Sequence, residues 1–191
     1  QDFMQNHIDY VKGEKYNFIA VVNSANAYLK EAWMGTNSSG FALMNTQSYN
    51  LVDVKGDEER GAANGRVIYR ALEVCATVED FCHFLDTISK PSDIEANFGV
   101  IDAQGGAAMF EVDYHKYVMY DANNPKDAPY GYIARTNFSF AGKVNEGAGY
   151  VRYMEADQVL MKASAMGSIT PQFIFNDLSR SFRNRMLDID L

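Results

Sequence analysis

Two blocks of short, β-prone runs, each followed by a block with helical periodicity, are the strongest constraint on how these 191 residues can fold. YNFIAVVNS at 16–24 is an apolar, β-branched run that reads as a buried strand. AWMGT and GFALMNT follow, separated by NSSG, and together predict a hairpin. A charged, glycine-rich connector occupies 53–64. GRVIYRALEVCA then places Val67, Ile68, Ala71, Leu72 and Cys75 on one helical face. TVEDFCHFLDTI predicts a second helix, with Thr77 and Asp80 spaced as a capping box and Phe81, Phe84, Leu85 and Ile88 as the apolar face. KPSD ends it.

The second block opens with NFGVIDAQGGAAMFEVDYHKYVMYDAN (97–123), which predicts three strands turning at DAQGG and near DYHK. GYIARTN (131–137) reads as a further strand. Residues 149–167 and 170–187 read as helices, the latter with Pro171 in its first turn. Segregated blocks of strands and helices specify an α+β fold with layered sheets and helices outside. Neither a repeat nor a linker interrupts the chain, so residues 1–191 are expected to form one domain.

Composition narrows the function. At 47% apolar and 22% charged the sequence is that of a globular protein. A net charge of −8 without a clustered basic face argues against nucleic-acid binding. The sequence has no apolar run of about 18 residues, the length that would span a membrane. The three histidines, His7, His83 and His115, lack ligand spacing, and neither a phosphate loop nor a G-x-S-x-G elbow is present, so no metal and no cofactor is expected. Cys75 and Cys82 are seven apart, about 10 Å along a helix and too far to bridge. Both read as inert packing. Glu111 and Asp113 alternate onto one strand face, where the simple account is edge-strand charge and the chemical one a carboxylate pair.

Three residues sit oddly in their surroundings. In GFALMNT the alternation puts Asn45 on the face of Phe41 and Leu43, where an unpartnered amide costs about 1–3 kcal/mol. It must bond either a neighbouring backbone group or a developing oxyanion, a catalytic use of Asn. Asn137 ends GYIART before the aromatic FSF, where a plain Asx turn is the competing account. Arg152 lies between Tyr150 and Tyr153, with Glu155 as an ordinary i,i+3 partner. Asn37 falls in the hairpin turn, where Asn is expected for structural reasons.

W-x-G-x-N-x-x-G-[FL]-x-[LM]-x-N at 33–45, N-F-G-V-I-D-A-x-G-G-x-x-x-[FY]-E-V at 97–112, R-T-N-F at 135–138 and G-Y-x-R-Y at 149–153 occur in one order along the chain. In that order they resemble the acyl-coenzyme A:6-aminopenicillanate acyltransferase-like and choloylglycine hydrolase-like branch of the N-terminal nucleophile (Ntn) hydrolases, of the gut-bacterial type. The resemblance covers nearly the whole chain and implies a four-layer αββα sandwich. It also implies an N-terminal cysteine nucleophile acting on linear, non-peptide amides. Asn45 and Asn137 would then match residues of the oxyanion site, and Arg152 the arginine of the surrounding polar network. The cysteine, the first strand and the last strands of such a fold are not found between Gln1 and Leu191, and both ends look cut, so a longer polypeptide is expected. The resemblance also implies a small-molecule amide as partner, and it leans towards a periplasmic or secreted bacterial protein. A homo-oligomer is left open. The competing expectation is an inactive module that keeps the pocket and binds a small amphipathic ligand.

Overall fold

The computed structural model describes residues 6–23, 30–51, 61, 63–144, 148–180, 183–184 and 189–190. Seven strands form a single antiparallel sheet in chain order: β1 (Asn6–Val11), β2 (Phe18–Asn23), β3 (Ala32–Asn37), β4 (Ala42–Gln47), β5 (Ala96–Ile101), β6 (Ala107–Val112) and β7 (Tyr117–Asp121). Helices α1 (Asn64–Val74) and α2 (Val78–Thr87) enter between β4 and β5. The chain then runs through 122–144 to α3 (Ala148–Ala165) and α4 (Pro171–Asn176). Strands β8 (Arg183–Asn184) and β9 (Ile189–Asp190) pair separately. The folding element least visible in the sequence is β1, a mostly exposed edge strand paired residue for residue with β2.

Strand register sorts the sheet into two unlike faces. Phe18, Ala20, Leu43, Phe98, Val100 and Phe110 lie on one face, and Val67, Ile68, Ala71 and Leu72 of α1 with Phe81 and Leu85 of α2 close over it. All are buried, as the sequence periodicity predicts for the two helices. Phe81 stands at the centre, its ring 5.0 Å from Phe110, 5.9 Å from Phe98, 6.1 Å from Phe84 and 6.2 Å from Phe41. Each such aromatic pair adds about 0.5–1.5 kcal/mol to the burial of its surface. The capping box forms as expected: the Thr77 side chain accepts from Asp80 N, and the Asp80 carboxylate accepts from Thr77 N.

The opposite face carries Met34, Thr36, Ala42, Met44, Asn97, Gly99, Ile101, Met109 and Glu111. Met34, Met44 and Ile101 are about half exposed. In an αββα sandwich two sheets pack face to face, each with helices on its outer side, and α1 and α2 stand in that way on the seven-stranded sheet.

Two sequence expectations are corrected. Residues 131–137 are not a strand. The segment runs across the open face of the sheet, where side chains of the sheet bond Thr136 O and the backbone N–H of Tyr49 bonds Asn137 O in place of a ladder. The helix expected over 170–187 ends at Asn176 and passes into a 3₁₀ turn at Leu178–Arg180. Thr170 caps it, with Pro171 in the first turn as expected, but Ser179 Oγ donates to Phe175 O at 2.6 Å, and residues 181, 182 and 185–187 of the expected helix lie outside the described residues. By contrast α3 matches its expected span and stops at Gly167, whose φ of +61° suits glycine and lets Ser168 N reach Ala163 O.

Candidate active site

Asn37 does more than shape its turn. Its Oδ1 accepts from Ser39 N and Phe41 N, while its Nδ2 donates to Leu72 O at 2.9 Å and Cys75 O at 2.7 Å. It thereby ties the hairpin to the C-terminal end of α1, whose last carbonyls lack helical partners. This buried amide is structural, on the helix side of the sheet.

On the open face the segment 132–144 is held by polar groups from β4, β5 and β6. Thr46 Oγ1 donates to Thr136 O at 2.6 Å, and Asn97 Nδ2 donates to Thr136 O at 2.9 Å and Phe138 O at 3.1 Å. Ser139 Oγ donates to Asn97 Oδ1 at 2.6 Å and lies 2.8 Å from Ser48 Oγ. Asn50 accepts from Ser139 N at its Oδ1 and donates to Ser139 O and Lys143 O. Asn50, Ser48, Asn97 and Ser139 are all buried, so each bond replaces one lost to water.

This frame presents Asn137. Its Nδ2 donates to Gln47 O at 2.7 Å, its backbone carbonyl accepts from Tyr49 N, and its Oδ1 accepts from the Arg152 guanidinium. Arg152 approaches from the first turns of α3, and Thr136 Oγ1 donates to Gly149 O at the same junction. A Cβ at Gly149 would stand 2.6 Å from Asn137 O, so only glycine permits this approach. Because the guanidinium is donor-only, Oδ1 must face it and the amide cannot flip. An amide nitrogen carries two hydrogens, and Gln47 O takes one. The second N–H of Asn137 has no partner among the described residues.

Asn137 and Arg152, far apart in sequence, are thus brought together. Asn45 is not joined to them by any side-chain bond: its register opposite Phe98 puts its half-buried side chain on the helix side of β4, while the adjacent Thr46 faces the 132–144 segment. The Asn45 side chain makes no hydrogen bond among the described residues.

Glu111 differs from its simple account as an edge-strand charge. β6 lies inside the sheet between β5 and β7, and the Glu111 side chain is fully buried, ion-paired to Arg135 at 2.5 Å. Asp113, beyond the strand end, accepts from His115 N and Lys116 N and shapes the turn into β7. The two carboxylates do not form a pair. The sequence assigns no role to Asn97, Arg135 or Ser139, and offers Glu111 only as an edge-strand charge or half of a carboxylate pair. The available signal was a polar residue inside an apolar strand at matched register, Asn97 opposite Glu111.

The two cysteines stand in the helix layer, on the other side of the sheet. Burial pushes the Cys75 thiol up to about 12, and burial also raises that of Cys82, so neither is a ready thiolate. Among the described residues no three His, Cys, Asp or Glu side chains converge to hold a metal, and no helix is long and apolar enough to cross a membrane.

The sequence pattern of the acyl-coenzyme A:6-aminopenicillanic acid acyl-transferase family matches residues 3–183. The chain belongs to this family. A variant of the conjugated bile acid hydrolase from Clostridium perfringens superposes with a TM-score of 0.52 at 13% identity, over 99% of this chain and 74% of that one. A second variant of that hydrolase gives 0.45 at 14% identity, over 99% and 66%. Penicillin V acylase from Agrobacterium tumefaciens gives 0.39 at 16% identity, over 87% and 60%. The chain therefore spans 60–74% of the length of these proteins. The first superposition shows a shared Ntn-hydrolase fold. No curated protein sequence matches the chain.

Proposed function

We propose that this family member works as a cysteine-type amidohydrolase or acyltransferase on linear, non-peptide C–N amide bonds. Its nucleophile would be an N-terminal cysteine outside the 191 residues. The observation that carries this reading is the Asn137–Arg152 couple, in which an arginine fixes the orientation of an amide that keeps one N–H to give. That N–H would donate to the oxyanion formed when a thiolate attacks an amide carbonyl, and Arg152 would hold the donor in place. Collapse of the tetrahedral species expels the amine and leaves a thioester, which water or an acceptor amine then opens. The assignment of Asn45 as a second oxyanion donor rests on the resemblance of the 33–45 motif alone. The Cys75 and Cys82 thiols, with their raised pKa values and helix-layer positions, are poor alternatives as nucleophile.

Intact mass and N-terminal sequencing of the purified full-length protein come first: a leading cysteine is expected, and any residue other than Cys, Ser or Thr sinks the enzyme reading. Asn137→Ala should then lower turnover of a cleaved amide by about 10²–10³-fold, the usual effect of one lost oxyanion donor. Turnover near wild type in a folded variant would remove Asn137 from the mechanism. Asn45→Ala tests the second donor in the same assay.

A further inference from the structure

We infer that Glu111 and Arg135 are positioning residues whose task is to hold Asn137 in register with Arg152. The inference rests on the proposed function for its catalytic part and on geometry for the rest. One Glu111 oxygen accepts from Arg135 Nε at 2.5 Å and from Phe140 N at 2.9 Å, and the other accepts from Ala141 N at 2.6 Å. A single carboxylate thus pins the chain on both sides of Asn137. The Arg135 guanidinium is itself clamped, 4.6 Å over the Tyr120 ring and 4.0 Å over the Phe140 ring, and it donates to Ala134 O.

Stability alone is a weak reason for such a pair, because a buried ion pair often does no better than well-packed apolar groups. The side chains are 0% and 4% exposed, so the desolvation cost is large. What apolar residues cannot do is hold two specific backbone N–H groups and an arginine at fixed points. Glu111 presents only acceptors to three donors, and a glutamine would turn one side of the group into a donor facing a donor. The charge is therefore matched to the loop, and the loop carries Asn137.

The test is Glu111→Gln in the full-length protein, with Glu111→Gln/Arg135→Met as a second variant that leaves no orphan charge should the first fail to fold. Two measurements are made on the folded variant: hydrogen exchange of the backbone amides across 136–141 with the Asn137 side-chain NMR resonance, and kcat and KM on a cleaved amide. The expected result is faster exchange across 136–141, a displaced Asn137 resonance, and kcat lowered by about 10²-fold with KM nearly unchanged, as for a catalytic group moved by about 1 Å. Unchanged exchange and resonance in a folded variant would overturn the inference, as would a displaced loop with kcat intact. A wild-type protein that cleaves no amide, together with a displaced Asn137 resonance in the variant, would support the clamp and defeat the amidase reading instead.

Discussion

The two faces of the seven-stranded sheet are built by different means. On the helix side, apolar side chains from five strands and two helices interlock around Phe81, and the polar exceptions, such as Asn37, serve backbone ends. On the open side, Ser48, Asn50, Asn97, Glu111 and Ser139 are buried, and their side chains hold a segment that has no ladder of its own. Apolar packing is non-directional and tolerates small shifts, whereas hydrogen bonds fail within a few tenths of an ångström. The difference assigns stability to one face and precision to the other.

The largest effect that would break this contrast is on the helix side. Phe81→Ala should cost about 3–5 kcal/mol in urea unfolding, because it empties the centre of the aromatic cluster. A loss under about 1 kcal/mol would mean that the core is not organised around that ring. On the open side, Asn97→Ala should cost less, about 1–3 kcal/mol, by removing the bonds to Thr136 O, Phe138 O and Ser139 Oγ, of which Thr136 O keeps Thr46 and Ser139 Oγ keeps Ser48. Its signature should instead be local, seen as faster hydrogen exchange across 136–141 with the helix-face amides still protected. Uniform loss of protection would erase the distinction between the faces.

The smallest effect concerns Asp102, which ties the β5–β6 turn to the start of α2. Its carboxylate accepts from Val78 N at 2.9 Å, Gln104 N at 2.8 Å and Gly106 N at 2.9 Å, and these bonds, Val78 foremost, hold its pKa below the usual carboxylate range. A carboxyl depressed in the folded state stabilises above its unfolded pKa of about 4 and loses that contribution as pH falls through the lower folded value. Asp102→Asn should therefore flatten the acid limb of a stability-versus-pH curve while changing little in its shape above pH ~6. An unaltered acid limb would leave the turn without an electrostatic link to the helix.

The helix face was legible in advance because its information is periodic. The spacing of Val67, Ile68, Ala71 and Leu72, and the Thr77–Asp80 box, are local patterns that tertiary contacts then confirmed. The ends of elements were less legible. The run 131–137 has a strand-like composition, yet its neighbours in space are Thr46, Asn97 and Glu111, none adjacent in sequence. After Asn176 the expected α-helix gives way to a 3₁₀ turn at Leu178–Arg180, where Ser179 bonds the backbone locally.

The chain by itself determined the α+β class, the strands from β2 to β7 and the two packed helices, since alternation and spacing act over a few residues, while the candidate roles of Asn45, Asn137 and Arg152 came from the family resemblance. Only the tertiary structure decided that Arg152 meets Asn137, that Asn45 turns to the other side of β4, and that Glu111 is a buried partner of Arg135 rather than a surface charge. Those outcomes depend on register and on one segment crossing a sheet, and a side chain's partners there are set by strands tens of residues away.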